Sequence, residues 1–153
     1  MYDTILVPLD GSKRAERILR MWAFGPLFST KVIFLQVVNH PNIKGYDETE
    51  ILLYRQDKEQ LTKQAESYVL ALKEKFRDKG IKVKTCVVNG SVVKAIIDCA
   101  ERESADLIAM TSHGRSGLDR AFYGSVAAGV LHLIDRPLLI IRSRGDEWKR
   151  KRR

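Results

Sequence analysis

Continuous apolar runs alternate with amphipathic stretches along the chain. Most runs have the length and composition of a strand that is buried on both faces, whereas residues 81–88 alternate at first, as an edge strand would, and then become apolar. The runs span residues 4–10, 31–38, 81–88, 106–110 and 136–142. Helical periodicity follows Ser12, covers about residues 48–79, resumes after Gly90-Ser91 and returns from Ser125 to about residue 134. The pattern therefore predicts five strands separated by four helices.

Strands that alternate with helices favour an open parallel sheet with helices on both faces, joined by right-handed crossovers. We predict the flavodoxin-like strand order 3-2-1-4-5, which makes the first and fourth strands neighbours. The length of 153 residues suits one α/β domain, which we assign to residues 1–144. The buried side of the long second helix is expected to carry Leu61, Ala65, Tyr68, Val69, Leu72 and Phe76.

The net charge of +8 is concentrated at the carboxyl end of the chain. The last twelve residues hold seven basic and two acidic side chains, a net charge of +5, which leaves +3 for the rest. We predict that residues 145–153 form a basic, solvated and disordered tail. We do not expect nucleic acid as a partner of the folded domain, and the tail is the one segment that could contact it.

No apolar run approaches the ~18 residues of a membrane span, so we expect no contact with a membrane. The first residues lack the basic segment and the cleavage site of a signal peptide, and we expect a cytoplasmic protein. Cys86 and Cys99 have neither CxxC spacing nor a neighbouring histidine cluster. We predict that both are buried, free thiols.

Ligands of open α/β sheets bind outside the carboxyl ends of the strands, where the winding reverses direction. Four segments follow strands at this edge: P-L-D-G-S, V-V-N-H, V-N-G-S and the glycine-rich residues 111–125. In the last segment, Gly114 and Gly117 allow a ligand to approach the backbone closely, and Gly124-Ser125 opens a helix. The free N–H groups and the dipole of a helix start favour an anion, so this segment is typical of a phosphate site.

Asp10 ends the first strand and would face the same crevice, with three interpretations open. It could accept hydrogen bonds from a ribose or an adenine amine, hold a divalent metal through water, or form the turn before Gly11. His113 could meet a phosphate, although a single loop histidine is more often incidental. Together with His40 and His132 it is too scattered to form a metal site.

Several other classes of protein lack their required residues here. The chain has no GxxxxGK[ST], which excludes a P-loop NTPase, and its first strand does not end in G-x-G-x-x-G. A phosphorelay receiver would need an aspartate and a lysine where this chain has Asn89 and Arg142. Neither a Ser–His–Asp order nor paired carboxylates indicate hydrolysis, so we assign no catalytic residue.

The early and late motifs together resemble the universal stress protein family. V-P-L-D-G-S near the start, with S-H-G-R-S-G-L and Y-G-S-V-A later, is similar to that family, and the similarity covers nearly the whole chain. The resemblance implies an adenine-nucleotide α-hydrolase-like fold and a stress-response regulator whose ligand state signals to a protein partner. The implied ligand is ATP or another adenine nucleotide, with Mg²⁺ or Mn²⁺ as an accompanying ion that the protein alone does not hold.

The resemblance also implies the residues that surround the nucleotide: Pro8, Leu9, Asp10, Val37, Thr111, Gly114, Arg115, Ser116, Gly117, Gly124, Ser125 and Val126. Among them, Asp10 would lie near the ribose, and Val37 would lie against the adenine. Residues 114–117 would wrap the ribose and phosphates, and residues 124–126 would meet the phosphates at the start of the fourth helix. Asp10 is also the residue that could approach a metal through water.

Thr111 departs from the family's nucleotide-binding motif, which begins with glycine at this position. The remainder of the motif matches, with Gly114, nine intervening residues and then Gly124-Ser125. A positive φ at residue 111 would cost a threonine of order 1 kcal/mol or more. An extended backbone would accept the threonine without strain.

Members of the family commonly pair their last strands, so the resemblance implies a homodimer through residues 137–142. The apolar L-L-I-I segment suits this arrangement, because an exposed edge strand needs to be covered. Two functional alternatives stay open. One is a stress protein of the same fold that binds no nucleotide and acts through protein contacts, and the other is a weak ATP hydrolase.

Overall fold

The computed structural model describes residues 2–13, 15–24, 31–39, 44–112 and 124–142. For residues 21–24 and 78 the description covers the backbone alone. The predicted tail (145–153), His40 and the central part of the glycine-rich segment (113–123) lie outside these ranges.

Five parallel strands form one sheet in the order β3-β2-β1-β4-β5, which confirms the predicted fold and strand order. Their bounds are Thr4–Leu9 (β1), Lys31–Val38 (β2), Lys82–Asn89 (β3), Leu107–Thr111 (β4) and Leu138–Ile141 (β5). β1 lies at the centre, hydrogen-bonded to β2 on one side and to β4 on the other. The winding of the sheet therefore reverses between β1 and β4, as predicted.

Helices connect the strands. They are a 3₁₀ helix at Ala15–Phe24, α1 at Glu48–Phe76, a short 3₁₀ turn at Arg77–Lys79, α2 at Val92–Arg102 and α3 at Ser125–Leu133. The helix after β1 was predicted, and Ser12 caps it, because the Ser12 Oγ accepts a hydrogen bond from the Ala15 N–H at 3.2 Å. In the described part of the chain, no helix is both long and apolar enough to cross a membrane.

α1 begins with a capping box in which Asp47 and Glu50 each accept a hydrogen bond from the other's backbone N–H. Its buried residues are Ala65, Val69, Leu72 and Phe76, all in the second half of the helix. The prediction that Leu61 is buried was wrong, since its side chain is 42% exposed. Periodicity identified the correct face of α1 but not the length over which that face meets the sheet.

The core has one layer on each face of the sheet. Alternate residues of β1 point to opposite sides, so that Ile5, Val7 and Leu9 join one layer and Leu6 joins the other. The first layer lies under α1 and the 3₁₀ helix, and the second lies under α2 and α3. Burial on both faces is the physical reason for the continuous apolar runs of β1, β2 and β4, whereas the edge strands β3 and β5 contain no fully buried residue.

Candidate functional site

A cavity of about 240 Å³ lies at the carboxyl ends of β1 and β4, where the winding reverses. Its size is close to the ~300 Å³ lower end of small-molecule sites, which in open α/β sheets lie at this point of the topology. The described residues of its wall are Pro8, Leu9, Asp10, Ala15, Val37, Val92, Ile96, Met110, Thr111, Ser112, Gly124, Ser125, Val126 and Ala127.

Eight of the twelve residues suggested by the sequence belong to this wall: Pro8, Leu9, Asp10, Val37, Thr111, Gly124, Ser125 and Val126. The other four, Gly114, Arg115, Ser116 and Gly117, lie outside the described residues. The two ends of their segment are described, however. The Gly124 N–H donates a hydrogen bond of 2.7 Å to the carbonyl oxygen of Ser112. Ser112 and Gly124, the described residues on either side of that segment, are therefore neighbours in the cavity wall.

Six wall residues were missed by sequence reasoning: Ala15, Val92, Ile96, Met110, Ser112 and Ala127. Met110, Ser112 and Ala127 adjoin predicted residues, so the segments were found although these members were not. Val92 and Ile96 lie one turn apart on α2, directly after the V-N-G-S segment. Their spacing marks one face of a helix, but spacing alone does not say that this face meets the cavity.

Asp10 forms the turn that leaves β1. Its Oδ1 accepts a hydrogen bond from the Ser12 N–H at 2.9 Å, and Gly11 between them has a φ of 83°. This is an Asx turn, so the turn interpretation of Asp10 is correct. Asp10 also belongs to the cavity wall. The turn therefore holds the carboxylate at the cavity, which makes the turn and ligand interpretations compatible.

Thr111 is the last residue of β4, where it pairs in register with Ile141 of β5. Among the described residues other than glycine, Ser104 alone has a positive φ. The backbone at Thr111 is thus extended, and the side chain is 6% exposed in the cavity wall. A threonine at the first position of the glycine motif therefore introduces no backbone strain here.

The start of α3 supplies backbone donors to the cavity. Gly124 is the N-cap residue and has no side chain with which to cap the helix. An α-helix leaves its first N–H groups without intrahelical acceptors, and its dipole makes this end positive. Ser125, Val126 and Ala127 form that first turn, and all three belong to the cavity wall. This part of the site is suited to an anionic group.

Apolar side chains form another part of the wall. Val37 lies at the end of β2, Ile96 on α2 and Met110 on β4. Ile96 and Met110 are 0% and 5% exposed, so the core holds them in place. This part of the cavity offers dispersion contacts to an uncharged, apolar or aromatic group.

A negative region lies beyond Asp10, where Glu16 and the phenol of Tyr68 are close together. The Tyr68 hydroxyl is buried beside the Glu16 carboxylate but forms no hydrogen bond of regular geometry with a described residue. Burial, and then the charges of Glu16 and Asp10, raise the pKa of this phenol well above its usual value. The cavity is therefore negative near Asp10 and positive at the start of α3.

Metal ligands are sparse in the described ranges. The described residues contain no group of three or more histidine, cysteine, aspartate or glutamate side chains placed to hold a metal ion. A divalent ion at this cavity would therefore need oxygen atoms from a ligand and from water in addition to Asp10.

The strand order and the cavity define an open, doubly wound α/β protein with a space for a ligand where the winding of the sheet reverses. Comparisons with known proteins identify its family. Residues 1–142 match the family model of the universal stress protein family, and the chain belongs to that family. It is similar to universal stress protein MJ0577 of Methanocaldococcus jannaschii, with 32% identity over 95% of this chain and 98% of that protein. The solved structure of MJ0577, which served to assign its biochemical function, has 33% identity, a TM-score of 0.83 and coverage of 95% and 99%.

Two further solved structures are similar in fold and contain nucleotides. One is a universal stress protein in complex with cAMP, with 22% identity, a TM-score of 0.57 and coverage of 94% of this chain and 98% of that chain. The other is a family member from Arabidopsis thaliana with AMP bound, with 16% identity, a TM-score of 0.61 and coverage of 95% and 94%.

Proposed function

We propose that this protein binds an adenine nucleotide, ATP foremost, in the cavity between β1 and β4, and that occupancy of the site signals to a protein partner. The observation that carries the proposal is the composition of one cavity wall. It combines the open first turn of α3, the carboxylate of Asp10 and an apolar surface that includes Val37. A nucleotide needs these three environments for its phosphates, its ribose and its base.

The phosphates would lie at the start of α3, where the N–H groups of Ser125 and Val126 can donate to them. The segment with Gly114, Arg115 and Gly117 is joined to the cavity at both of its ends, through the hydrogen bond between Gly124 and Ser112. In this proposal the guanidinium of Arg115 pairs with the phosphates, and a partner recognises residues 113–123 of the nucleotide-bound protein.

The base and the ribose would occupy the opposite part of the cavity. An apolar surface for adenine is formed by Val37, Ile96 and Met110. Dispersion contacts with this surface would stabilise the bound adenine ring. Asp10 would accept a hydrogen bond from a ribose hydroxyl, and its fixed turn lowers the cost of positioning it. An accompanying Mg²⁺ or Mn²⁺ would take its ligands from phosphate oxygens, water and Asp10.

Membership of the family and the two nucleotide complexes support the choice of ligand. The proteins solved with cAMP and with AMP have the same fold, so this fold can accept an adenine nucleotide. Their identities of 22% and 16% are too low to transfer residue roles. The roles proposed here therefore rest on the cavity of this chain.

We further propose a homodimer that pairs the two copies of β5. This strand lies at the edge of the sheet, and its residues, Leu138, Leu139, Ile140 and Ile141, are apolar but half-exposed. Pairing would cover both the apolar side chains and the open backbone groups of the edge. The size of the particle in solution, measured by light scattering, should be that of two chains.

A thermal shift experiment tests nucleotide binding directly. At a hundredfold excess of ATP over Kd, binding should add about 2.7 kcal/mol of stability, or roughly 5–10 °C in Tm for a chain of this size. GTP should give a smaller shift than ATP if the base lies against the apolar wall. No shift with millimolar ATP and Mg²⁺ would reject the proposal and favour the alternative in which the protein acts through protein contacts alone.

Ser125 provides a matched pair of variants for the phosphate position. It is the first residue of α3, and Gly124 before it has φ −58° and ψ 157°, an extended conformation that a following proline accepts. Ser125→Pro removes both the hydroxyl and the backbone N–H while keeping the helix, whereas Ser125→Ala removes the hydroxyl alone, so the two variants differ in the N–H donor. The proline variant should bind ATP at least about tenfold more weakly than the alanine variant, since a hydrogen bond to a charged group contributes about 1.5–3 kcal/mol. Equal affinity of both variants would show that the phosphates lie elsewhere.

A further inference from the structure

β3 forms an edge of the sheet. It pairs with β2 along its whole length, from Lys82 to Asn89, and no described strand lies on its other side. None of the eight residues of β3 is buried, whereas β2 beside it has five buried residues. Alternate residues of an edge strand direct their N–H and C=O groups away from the sheet, so β3 offers a row of backbone donors and acceptors about 26 Å long. This row can pair with another extended segment.

Cationic side chains line one face of this edge. Lys82 and Lys84 alternate along β3 and are exposed, and Lys31 of β2 is in register with Lys82. Glu103, directly after α2, has carboxylate oxygens at 2.7 Å from the Lys84 Nζ and at 3.7 Å from the Lys31 Nζ. The Arg102 Nε lies 3.8 Å from the same carboxylate. These four cations and one carboxylate carry a net charge of +3.

The positive charge of this face stays accessible. The side chain of Glu103 is only 10% exposed, whereas those of Lys31, Lys84 and Arg102 are 39%, 50% and 55% exposed. Arg102 also donates a hydrogen bond of 3.5 Å to the Cys86 Sγ, which holds the guanidinium beside β3. A further carboxylate that arrives from solvent can therefore reach these cations.

The opposite face of the same edge is apolar near the start of β3. A cavity of about 280 Å³ lies there, and its wall includes Ile81, Val83 and the end of α1. Ile81 and Val83 are half-buried and pack against the core layer under α1. In the α1 part of the wall, Arg77 pairs with Glu74 at 3.3 Å, which leaves Lys73 as a further cation. The cavity can accept an apolar side chain.

We propose that the edge of β3 binds an extended segment of a partner protein in which acidic and apolar residues alternate. Successive side chains of a strand point to opposite faces. The carboxylates of the partner would therefore meet Lys82, Lys84 and Arg102, and its apolar side chains would enter the cavity beside Val83. Its backbone would pair with β3 and extend the sheet. This surface is separate from the nucleotide cavity, and the proposal does not depend on nucleotide binding.

A second copy of this chain is a poor occupant of the β3 edge. Two paired copies of β3 would bring Lys82 and Lys84 of one chain close to those of the other, and like charges on adjacent strands are destabilising. β5, at the other edge of the sheet, contains no charged residue. The two edges are therefore suited to different occupants, with β5 suited to a second copy and β3 to an acidic strand.

Fluorescence anisotropy with a labelled ten-residue peptide that alternates glutamate and valine tests the proposal. The wild type should bind this peptide, and it should not bind the same peptide with lysine in place of glutamate. A version that is N-methylated at every residue keeps the side chains and their charges but has no N–H to donate, so it should bind at least tenfold more weakly. No binding of the unmethylated peptide, or equal affinity for the methylated one, would overturn the proposal.

Lys82→Glu places the interaction on β3. This variant should bind the glutamate peptide about fivefold or more weakly, since it replaces an attraction by a repulsion, and should bind the lysine peptide better than the wild type does. Lys94→Glu is the matched control, because Lys94 is exposed at the opposite end of α2 from Arg102, where it pairs with Asp98 at 2.7 Å. An equal loss in both variants would show that overall charge, and not β3, attracts the peptide. Tighter binding of duplex DNA than of the peptide, lost in Lys82→Glu, would also contradict the proposal and indicate a nucleic-acid surface.

Discussion

The contact between α2 and α3 sets the distance between two walls of the cavity. Gly129 of α3 allows the two helices to approach closely at this contact. Gly129 of α3 faces Val93 of α2 so closely that a Cβ at residue 129 would lie 2.7 Å from Val93 Cγ2 and 3.3 Å from Val93 Cγ1. Carbon atoms prefer about 3.5–4.0 Å, so the nearer methyl group would have to move by roughly 0.8 Å or more. Valine in a helix has one strongly preferred rotamer, which leaves the helices themselves to move apart.

We therefore expect Gly129→Ala to destabilise the protein. Alanine improves helix propensity by up to about 1 kcal/mol over glycine, but overpacking of a close contact costs about 1–3 kcal/mol. The net loss should be about 1 kcal/mol, measured as a lower urea midpoint at constant m-value. In a Val93→Ala background the clash is absent, so the same substitution should become stabilising by about 0.5–1 kcal/mol.

The double-mutant cycle should therefore give a coupling energy of about 2 kcal/mol between residues 93 and 129. If Gly129→Ala raises the stability of both backgrounds equally, α2 and α3 do not meet as tightly as the Cβ distances indicate. Since Val92 and Ile96 on α2 and Val126 on α3 line the cavity, Gly129→Ala should also weaken ATP binding, and Val93→Ala should restore part of it.

Two further predictions concern β4 and the residue before it. Thr111→Gly should not strengthen ATP binding, because the backbone of Thr111 is already extended. The substitution should lower the free energy of unfolding by about 1 kcal/mol. A tenfold gain in ATP affinity, measured by titration, would contradict this prediction. Asp106 accepts hydrogen bonds from the backbone N–H groups of Asp3 and Thr4 at 2.8 and 2.9 Å. Burial opposes ionisation of this carboxyl, but the hydrogen bonds outweigh it and lower its pKa. Its stabilisation is therefore present above the unfolded pKa of about 3.9 and is lost as the pH falls through the lower folded pKa. Asp106→Asn should cost about 1–2 kcal/mol at pH 7 in urea unfolding, and this difference should shrink below about pH 4, whereas a pH-independent difference would refute the assignment.

Local patterns were sufficient for the fold and for most of the described site. Strands buried on both faces must be apolar throughout, and crossovers between parallel strands are right-handed, so the runs and their spacing indicated a parallel sheet covered by helices on both faces. The strand order 3-2-1-4-5 was adopted because it is a common order for such sheets. Pro8, Leu9, Asp10 and the start of α3 follow from the same rule, because strand ends and helix starts meet at one edge of such a sheet. These features depend on neighbours in the sequence and on general chain geometry.

Tertiary packing decided the rest. Leu61 has the right periodicity to be buried, but it is exposed. The next residue, Thr62, already contacts Asn89, the last residue of β3, and no local signal records where the sheet ends. Ile96 reaches the cavity only because α2 lies against β2 in a particular position. Cys86 and Cys99 belong to one core layer because the crossover from β3 to α2 folds back over the sheet face. Only Cys99 is fully buried, so the prediction of two buried thiols was correct for Cys99 alone.

The sequence by itself determined which of the described segments become strands and helices, which strand ends border the cavity, and that a helix begins at Ser125. The tertiary structure decided the backbone at Thr111, which is extended because it pairs with Ile141 of β5. It also decided which faces of α2 and α3 meet, and so the width of the cavity between them. Local patterns are encoded by adjacent residues, whereas these distances depend on side chains that are far apart in the chain and meet only after folding.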